Sequence, residues 1–215
     1  MLIPGNVSLF EGIKSDEITR LLSCLDIRHR SFPKGTTIIH EGDQVEFIGV
    51  ILIGFIQIVR TDINGNRMIQ SGFGSGALFA ESFVCAGIVQ SPVSVVAVED
   101  SEILFIPYKK MMHSCKQTCS FHYQLIENML KVIALKNLGL NGKIEILSKR
   151  TLREKILTYL QQEKRKNRSV SFNIPFSRNE LADYLCVDRS SLSRELGFLQ
   201  NEGLISFERN LFTLQ

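Results

Sequence analysis

The stretch SRNELADYLCVDRSSLSRELGFLQN, residues 177–201, decides the fold of the last third of the chain. Ser177-Arg178-Asn179-Glu180 is a capping box, in which a serine accepts from the backbone N–H three residues on and a glutamate reaches back. It opens a helix on which Leu181, Ala182 and Leu185 recur at helical spacing. Cys186-Val187 makes a brief turn, and Asp188, a favoured N-cap residue, starts a second helix over Arg189–Asn201. Leu192, Leu196 and Leu199 form the buried stripe of that helix, which leaves Arg189, Ser190, Ser193 and Arg194 exposed in its first two turns. Ser171–Phe176 reads as a short strand before the helices. After them, Glu202-Gly203 stops the second helix, and Leu204–Phe207 with Leu211–Leu214 form a hairpin around Glu208-Arg209-Asn210. Two short helices with a tight turn and flanking strands are a winged helix-turn-helix. Arginines and hydroxyls on the first turns of a helix suit the major groove of DNA. Arginine can bond guanine O6 and N7 with both arms, and serine can reach bases or phosphates. The candidate contact set is Arg178, Asp188, Arg189, Ser190, Ser191, Ser193 and Arg194. The bland alternative for the arginines is surface solvation.

The charge supports a polyanion partner for this part alone. Of 215 residues with net charge +3, residues 1–142 hold 12 Lys/Arg against 13 Asp/Glu, and residues 143–215 hold 13 against 9. Within 143–168 the balance is nine basic to three acidic. Thr151-Leu152-Arg153-Glu154 is another capping box, opening a helix through about Gln162, and Lys164–Ser169 (KRKNRS) reads as a polar linker.

Upstream lies a long helix. Tyr123, Ile126, Leu130, Ile133, Asn137, Leu140, Ile144 and Leu147 follow strict 3-4 spacing, an a/d seam over about three and a half heptads and roughly 37 Å. Leu125, Met129, Val132 and Leu135 form a second stripe. One stripe is expected to pack on the N-terminal domain and the seam on the same helix of a second copy, with Asn137 fixing the register. The alternative is one amphipathic helix within a monomer.

Residues 27–108 read as β structure. Runs at Thr36–Ile39, Ile48–Arg60, Met68–Phe73, Val93–Val98 and Ile103–Ile106 alternate with turn signals, and Asn64-Gly65 is the strongest hairpin signal. Nine of 15 glycines fall between 35 and 87, a density that suits a small antiparallel roll. Ser15–Leu25, before it, has helical spacing. The expected class is α+β: an antiparallel β-roll of double-stranded β-helix or jelly-roll type, a long dimerisation helix and a winged helix-turn-helix. The expected domains are 1–115, 116–147 and 148–215.

Length and composition fit two modest domains able to bury a core, with 44% apolar and 22% charged residues. The most membrane-like stretch, Phe47–Val59, has 13 residues against the roughly 20 a spanning helix needs. The first residues, MLIPGNVSLF, lack a basic start and a long apolar core, so no signal peptide is read. A cytoplasmic protein is expected. Five scattered cysteines without a CxxC indicate neither a disulfide scaffold nor a zinc ribbon.

Residues 177–214 resemble the winged helix-turn-helix of the Crp/Fnr family of bacterial transcription regulators, and the order of roll, long helix and basic segment is similar to the whole family architecture. The family's recognition helix carries an Arg, often a Glu one position later, and an Arg four after that. Arg189 and Arg194 match the arginines, and Ser190 stands where Glu would be. Gly76–Ser82 with Gln90–Val95 is similar to the family's phosphate-binding cassette. The resemblance implies that Glu81 holds a ribose hydroxyl and Ser91 the cyclic phosphate, but Gln90 occupies the arginine position. Glu81, Ser82, Gln90 and Ser91 are therefore the candidate effector residues of a pocket not built for cyclic AMP. Glu81 could instead merely satisfy backbone groups in a tight turn.

Some relatives sense oxygen through an iron–sulfur cluster on N-terminal cysteines. This chain has only Cys24 before residue 85, which argues against that cofactor. Haem-binding relatives need a ligating histidine, and His29, His40, His113 and His122 carry no signature that selects one. Cys115-x3-Cys119-x2-His122 would share a helix face, where two thiolates and an imidazole could ligate or form a redox pair; small buried cysteines are the commoner outcome. No metal site is assigned.

Read whole, the chain is expected to be a homodimeric, effector-responsive regulator on a near-palindromic DNA site. An activator among such proteins also needs a surface for RNA polymerase. The competing reading is a ligand- or redox-sensing module whose C-terminal domain docks a protein. No nucleophile elbow, P-loop, HExxH or Rossmann glycine set points to an enzyme.

Overall fold

The computed structural model of the chain describes residues 7–61, 67–113 and 120–215. Its contacts divide it into two units, Met1–Ala134 and Leu135–Gln215. In the first, helix α1 (Ser15–Cys24) precedes strands β1 (Arg28–Phe32), β2 (Thr37–Ile39), β3 (Phe47–Ile53), β4 (Phe55–Thr61), β5 (Arg67–Gly74) and β6 (Leu78–Phe79). The short helix α2 (Glu81–Cys85), β7 (Ser94–Ala97), β8 (Ser101–Pro107) and the short helix α3 (Tyr108–Met112) follow, then α4 (Ser120–Leu147), which crosses into the second unit. The strands form two antiparallel sheets, ordered β1-β8-β3-β6 and β2-β7-β4-β5.

The central strand β3 explains how the roll is held. Its alternate residues Ile48, Val50 and Leu52 join Leu104 and Ile106 in a core shared with α1 and α4. Ile51, facing the other way, joins Ile103, Ile56, Val95 and Phe79 between the two sheets. A strand buried on both faces reads as the continuous apolar run FIGVILI instead of an alternating one. Gly49 is needed within it: a Cβ there would collide with the Phe79 ring. Gly54, at φ +95°, makes the turn between β3 and β4.

The expected roll is present, with differences of detail. β1 was not among the expected strands because RHRSF looks polar. As an edge strand it leaves four of its five residues exposed. The helices α2 and α3, five residues each, are too short to show a period. The Asn64-Gly65 turn lies outside the described residues, though the flanking strands pair antiparallel with Thr61 opposite Arg67.

On α4, Leu125 and Met129 are buried and Val132 is half-buried against the core of the first unit. Burying a side chain of this size stabilises by about 1.5–3 kcal/mol. Leu135, expected on the same stripe, is instead 58% exposed. Asn128, buried beside that stripe, donates to the carbonyls of Leu9 (3.0 Å) and Glu11 (2.8 Å) and ties the N-terminal segment to the helix. On the seam, Tyr123, Leu130, Asn137, Leu140 and Ile144 are exposed, whereas Ile133 packs on the core of the first unit.

The second unit continues through α5 (Leu152–Asn167), β9 (Ser171–Asn173), α6 (Arg178–Leu185), α7 (Arg189–Asn201), β10 (Ile205–Glu208) and β11 (Leu211–Leu214). β9 adds to the terminal hairpin in the order β10-β11-β9. Ile156, Leu160, Phe172, Leu181, Leu192 and Leu196 meet in its core. The segment read as a linker from Lys164 is helical to Asn167. It has no glycine or proline to stop it, its lysines and arginine suit the negative helix end, and Arg168 closes it in the left-handed conformation.

Candidate nucleic-acid interface

Helix α6 starts where its capping box requires. Glu180 N–H donates to Ser177 Oγ (3.3 Å), and Ser177 N–H donates to Glu180 Oε2 (2.7 Å). That bonding holds the Glu180 carboxyl below the usual carboxylate range. Ser177→Ala is expected to cost about 1 kcal/mol of stability in denaturant melts. Because the folded-state pKa of Glu180 is depressed, its contribution is present above the unfolded-state value and is lost as pH falls through the folded one. Glu180→Gln should therefore flatten the acid side of the stability profile, and an unchanged slope would contradict this.

Helix α6 ends on Cys186, which takes the left-handed conformation and is exposed. Asp188 occupies the N-cap of α7 in extended conformation, but its side chain makes no cap hydrogen bond, unlike Ser177 and Thr151. From there the helix exposes Arg189, Ser190, Ser193 and Arg194 and half-buries Ser191, while Leu192, Leu196 and Leu199 are buried. Residues 190, 193 and 194 fall on one face.

Residues not foreseen in the sequence hold α7 in place. Arg153 on α5 donates from Nε to Glu195 Oε1 (2.8 Å) and from Nη1 to Glu202 Oε2 (2.9 Å), with Nη2 on the other Glu202 oxygen. These bonds raise the pKa of Arg153 and lower that of Glu202. Glu195 and Glu202 are seven residues apart, two turns on one helix face, which is the signal that could have revealed them.

Arg178, one of the candidate contact residues, is half-buried at the start of α6. Its guanidinium lies 5.0 Å from the ring centres of both Phe207 and Phe212, and Nη2 donates to the Arg209 carbonyl (2.6 Å). Nη1 is buried without a hydrogen-bond partner, and burial lowers the pKa of the group. The side chain is turned into the wing, because two aromatic faces and a carbonyl at the left-handed hairpin residue Arg209 receive it there.

In the first unit, Glu81 opens α2 directly after left-handed Ala80 and is only 5% exposed, beside Phe83 and Val84 of the core between the sheets. Ser82 and Gln90 are exposed, and Gln90 forms a backbone bridge with Gln44. Ser91 is buried: its hydroxyl donates to the Val93 carbonyl (2.6 Å) and its N–H to the Asp43 carbonyl (2.8 Å). The neighbouring Cys85 thiol has its pKa pushed up by burial, opposed by a hydrogen bond to Tyr108.

Cys115 and Cys119 lie outside the described residues. His122 is buried, with Nε2 2.6 Å from the Met111 carbonyl oxygen. The other histidines also have partners: His29 with Glu102, His40 with Asp43, and His113 with the Lys109 carbonyl. Among the described residues no group of three or more His, Cys, Asp or Glu is placed to hold a metal ion, and no helix is long and apolar enough to cross a membrane.

A roll, a long helix and a helix-turn-helix whose second helix exposes arginines and hydroxyls are the parts expected of a DNA-binding transcription regulator. The cyclic nucleotide-binding domain family matches residues 29–118, and the Crp-like helix-turn-helix domain family matches residues 154–215. The chain belongs to the Crp/Fnr family of transcription regulators. It is 26% identical over 190 residues to the transcriptional activator protein FnrL of Cereibacter sphaeroides, covering 84% of this chain and 73% of the relative. It is 25% identical over 198 residues to the cyclic AMP receptor protein of Thermus thermophilus, covering 92% and 87%. The crystal structure of Thermus thermophilus catabolite activator protein matches with a TM-score of 0.54 and 22% identity, over 97% of this chain and 93% of that one, which bears on the fold alone.

Proposed function

We propose that the chain acts as a homodimer that binds a near-palindromic operator and answers to a small-molecule effector other than cyclic AMP. The observation that carries the reading is the exposed ladder on α7, Arg189, Ser190, Ser193 and Arg194, beside half-buried Ser191. In this reading Arg189 and Arg194 read guanines, the serines reach bases or phosphates, and Asp188, whose carboxylate makes no cap bond, accepts from a cytosine amino group. Arg178 orients the wing. Two copies, paired along the α4 seam, set two reading helices about 34 Å apart, one turn of DNA. Residues 1–115 sense, 116–147 pair and 148–215 read. A DNA partner puts the protein in the cytoplasm, where an activator would also meet RNA polymerase.

Three features argue against cyclic AMP. Gln90 replaces the cation that a cyclic phosphate needs, a loss of about 1.5–3 kcal/mol for the missing charge-assisted bond. The hydroxyl of Ser91 is committed to the Val93 carbonyl. Pro92 supplies no N–H. What remains around Glu81, Ser82, Gln90 and Ser91 is a cradle with a buried carboxylate, suited to an effector with hydroxyl or amine donors.

The test is selection of bound duplexes from a random pool by the purified protein, with cyclic AMP binding measured separately by equilibrium dialysis. The expected result is an enriched palindrome with half-sites one turn apart and no saturable uptake of cyclic AMP. Sequence-blind binding in every condition, cyclic AMP included, would overturn the operator. Tight uptake of the nucleotide would overturn the effector assignment.

A further inference from the structure

The roll contains a hollow that neither the DNA-reading surface nor the Glu81 cradle uses. It measures about 290 Å³, close to the lower end of small-molecule sites, and is lined by Arg28, Arg30, Phe32, Ile38, Phe47 and Phe105. Its walls follow from strand register. Arg28, Arg30 and Phe32 alternate along β1 and so share one face. Arg28 pairs directly across the ladder with Phe105, so the guanidiniums stand on the same side as the rings. Phe105 meets Phe47 edge to face at 4.7 Å and Phe32 at 5.9 Å.

The rim is cationic. Arg28 has a long, exposed contact with Asp26 at 3.5 Å, and Asp26 is shared with Lys110. Among the described residues no carboxylate lies within ion-pair distance of Arg30. Three rings and an isoleucine below two guanidiniums are complementary to a flat apolar body bearing one anionic group. Edge-to-face ring packing favours an aromatic body over an alkyl chain, and the planar guanidinium fork matches a carboxylate.

We propose that this hollow binds a small aromatic carboxylate, its ring against Phe32, Phe47 and Phe105 and its carboxylate on Arg30 and Arg28. None of the residues lining the hollow belongs to the cradle set Glu81, Ser82, Gln90 and Ser91.

Indole-3-acetate titrated calorimetrically into the 215-residue chain tests the proposal. The expected result is saturable binding at one site per chain. Arg30→Gln should weaken it by about tenfold or more, the loss of a charge-assisted bond, and Arg30→Lys by less. Ser31→Ala, on the opposite face of β1, should leave it unchanged. Neutral indole-3-ethanol should bind about tenfold or more weakly than the acid for the same reason. The substituted positions on β1 are exposed, and thermal melts of each variant check that it folds. Absence of binding, equal binding of the neutral alcohol, or an unaffected Arg30→Gln variant would overturn the site and leave the arginines as guards of an exposed sheet edge. Tighter binding of decanoate than of the aromatic acid would overturn the aromatic assignment. None of these outcomes depends on DNA binding.

Discussion

Replacing Arg194 by alanine is expected to weaken binding to the selected operator by about 5- to 150-fold, the 1–3 kcal/mol of a bidentate arginine–guanine contact. Binding to random DNA should hardly change. Arg194 is exposed, and its face of α7 also carries Ser190 and Ser193. The buried residues Leu192 and Leu196 anchor the helix from the opposite side, so the substitution removes the proposed reading group without disturbing the core. Competition titrations against operator and scrambled duplexes at one fixed salt concentration measure both terms. Equal losses on the two DNAs would show that Arg194 holds a phosphate, because phosphate contacts carry affinity and no sequence information.

The second large effect concerns pairing. Leu140 and Ile144 are 64% and 63% exposed in the single chain and lie on the a/d seam. A Leu140→Glu/Ile144→Glu double variant would bury like charges against each other in the dimer. Sedimentation should find it monomeric, and operator affinity should fall by about 100-fold or more as the two-site advantage disappears. Leu138 provides the control. It is 66% exposed but lies off the seam, so Leu138→Glu should leave both the dimer and the operator complex intact. A dimer that survives the double variant, or dissociates with Leu138→Glu, would place the interface elsewhere.

What the sequence made legible followed the strength of local signals. The capping boxes at Thr151 and Ser177 lie where the sequence puts them, because each is a complete hydrogen-bonding unit within four residues. The leucine stripe of α7 was equally plain, since a helix with one buried face writes its period directly. Strand β1 was not, because an exposed edge strand shows neither alternation nor apolarity. Leu135 misled for a different reason: its spacing matches Leu125 and Met129, but spacing cannot tell how far along a helix the covering domain extends. The Arg153 clamp on Glu195 and Glu202 joins residues 42 and 49 positions apart, so the seven-residue spacing of the glutamates marks a shared face but not the distant partner that meets it. In the Glu81 cradle, the sequence identified the substitution at Gln90 but not the inward turn of the Ser91 hydroxyl, which depends on partners across a turn.

The position of Arg178 has a consequence for how DNA is met. Its guanidinium joins the first residue of α6 to the hairpin through Phe207, Phe212 and the Arg209 carbonyl. A hairpin held by these contacts has less orientational freedom than an untethered one. Its ordering entropy is spent during folding and does not have to be met again at the encounter with the duplex. In the proposed complex the hairpin and α7 then arrive as a preformed template, and selectivity depends on how readily the DNA bends to fit it as well as on its bases.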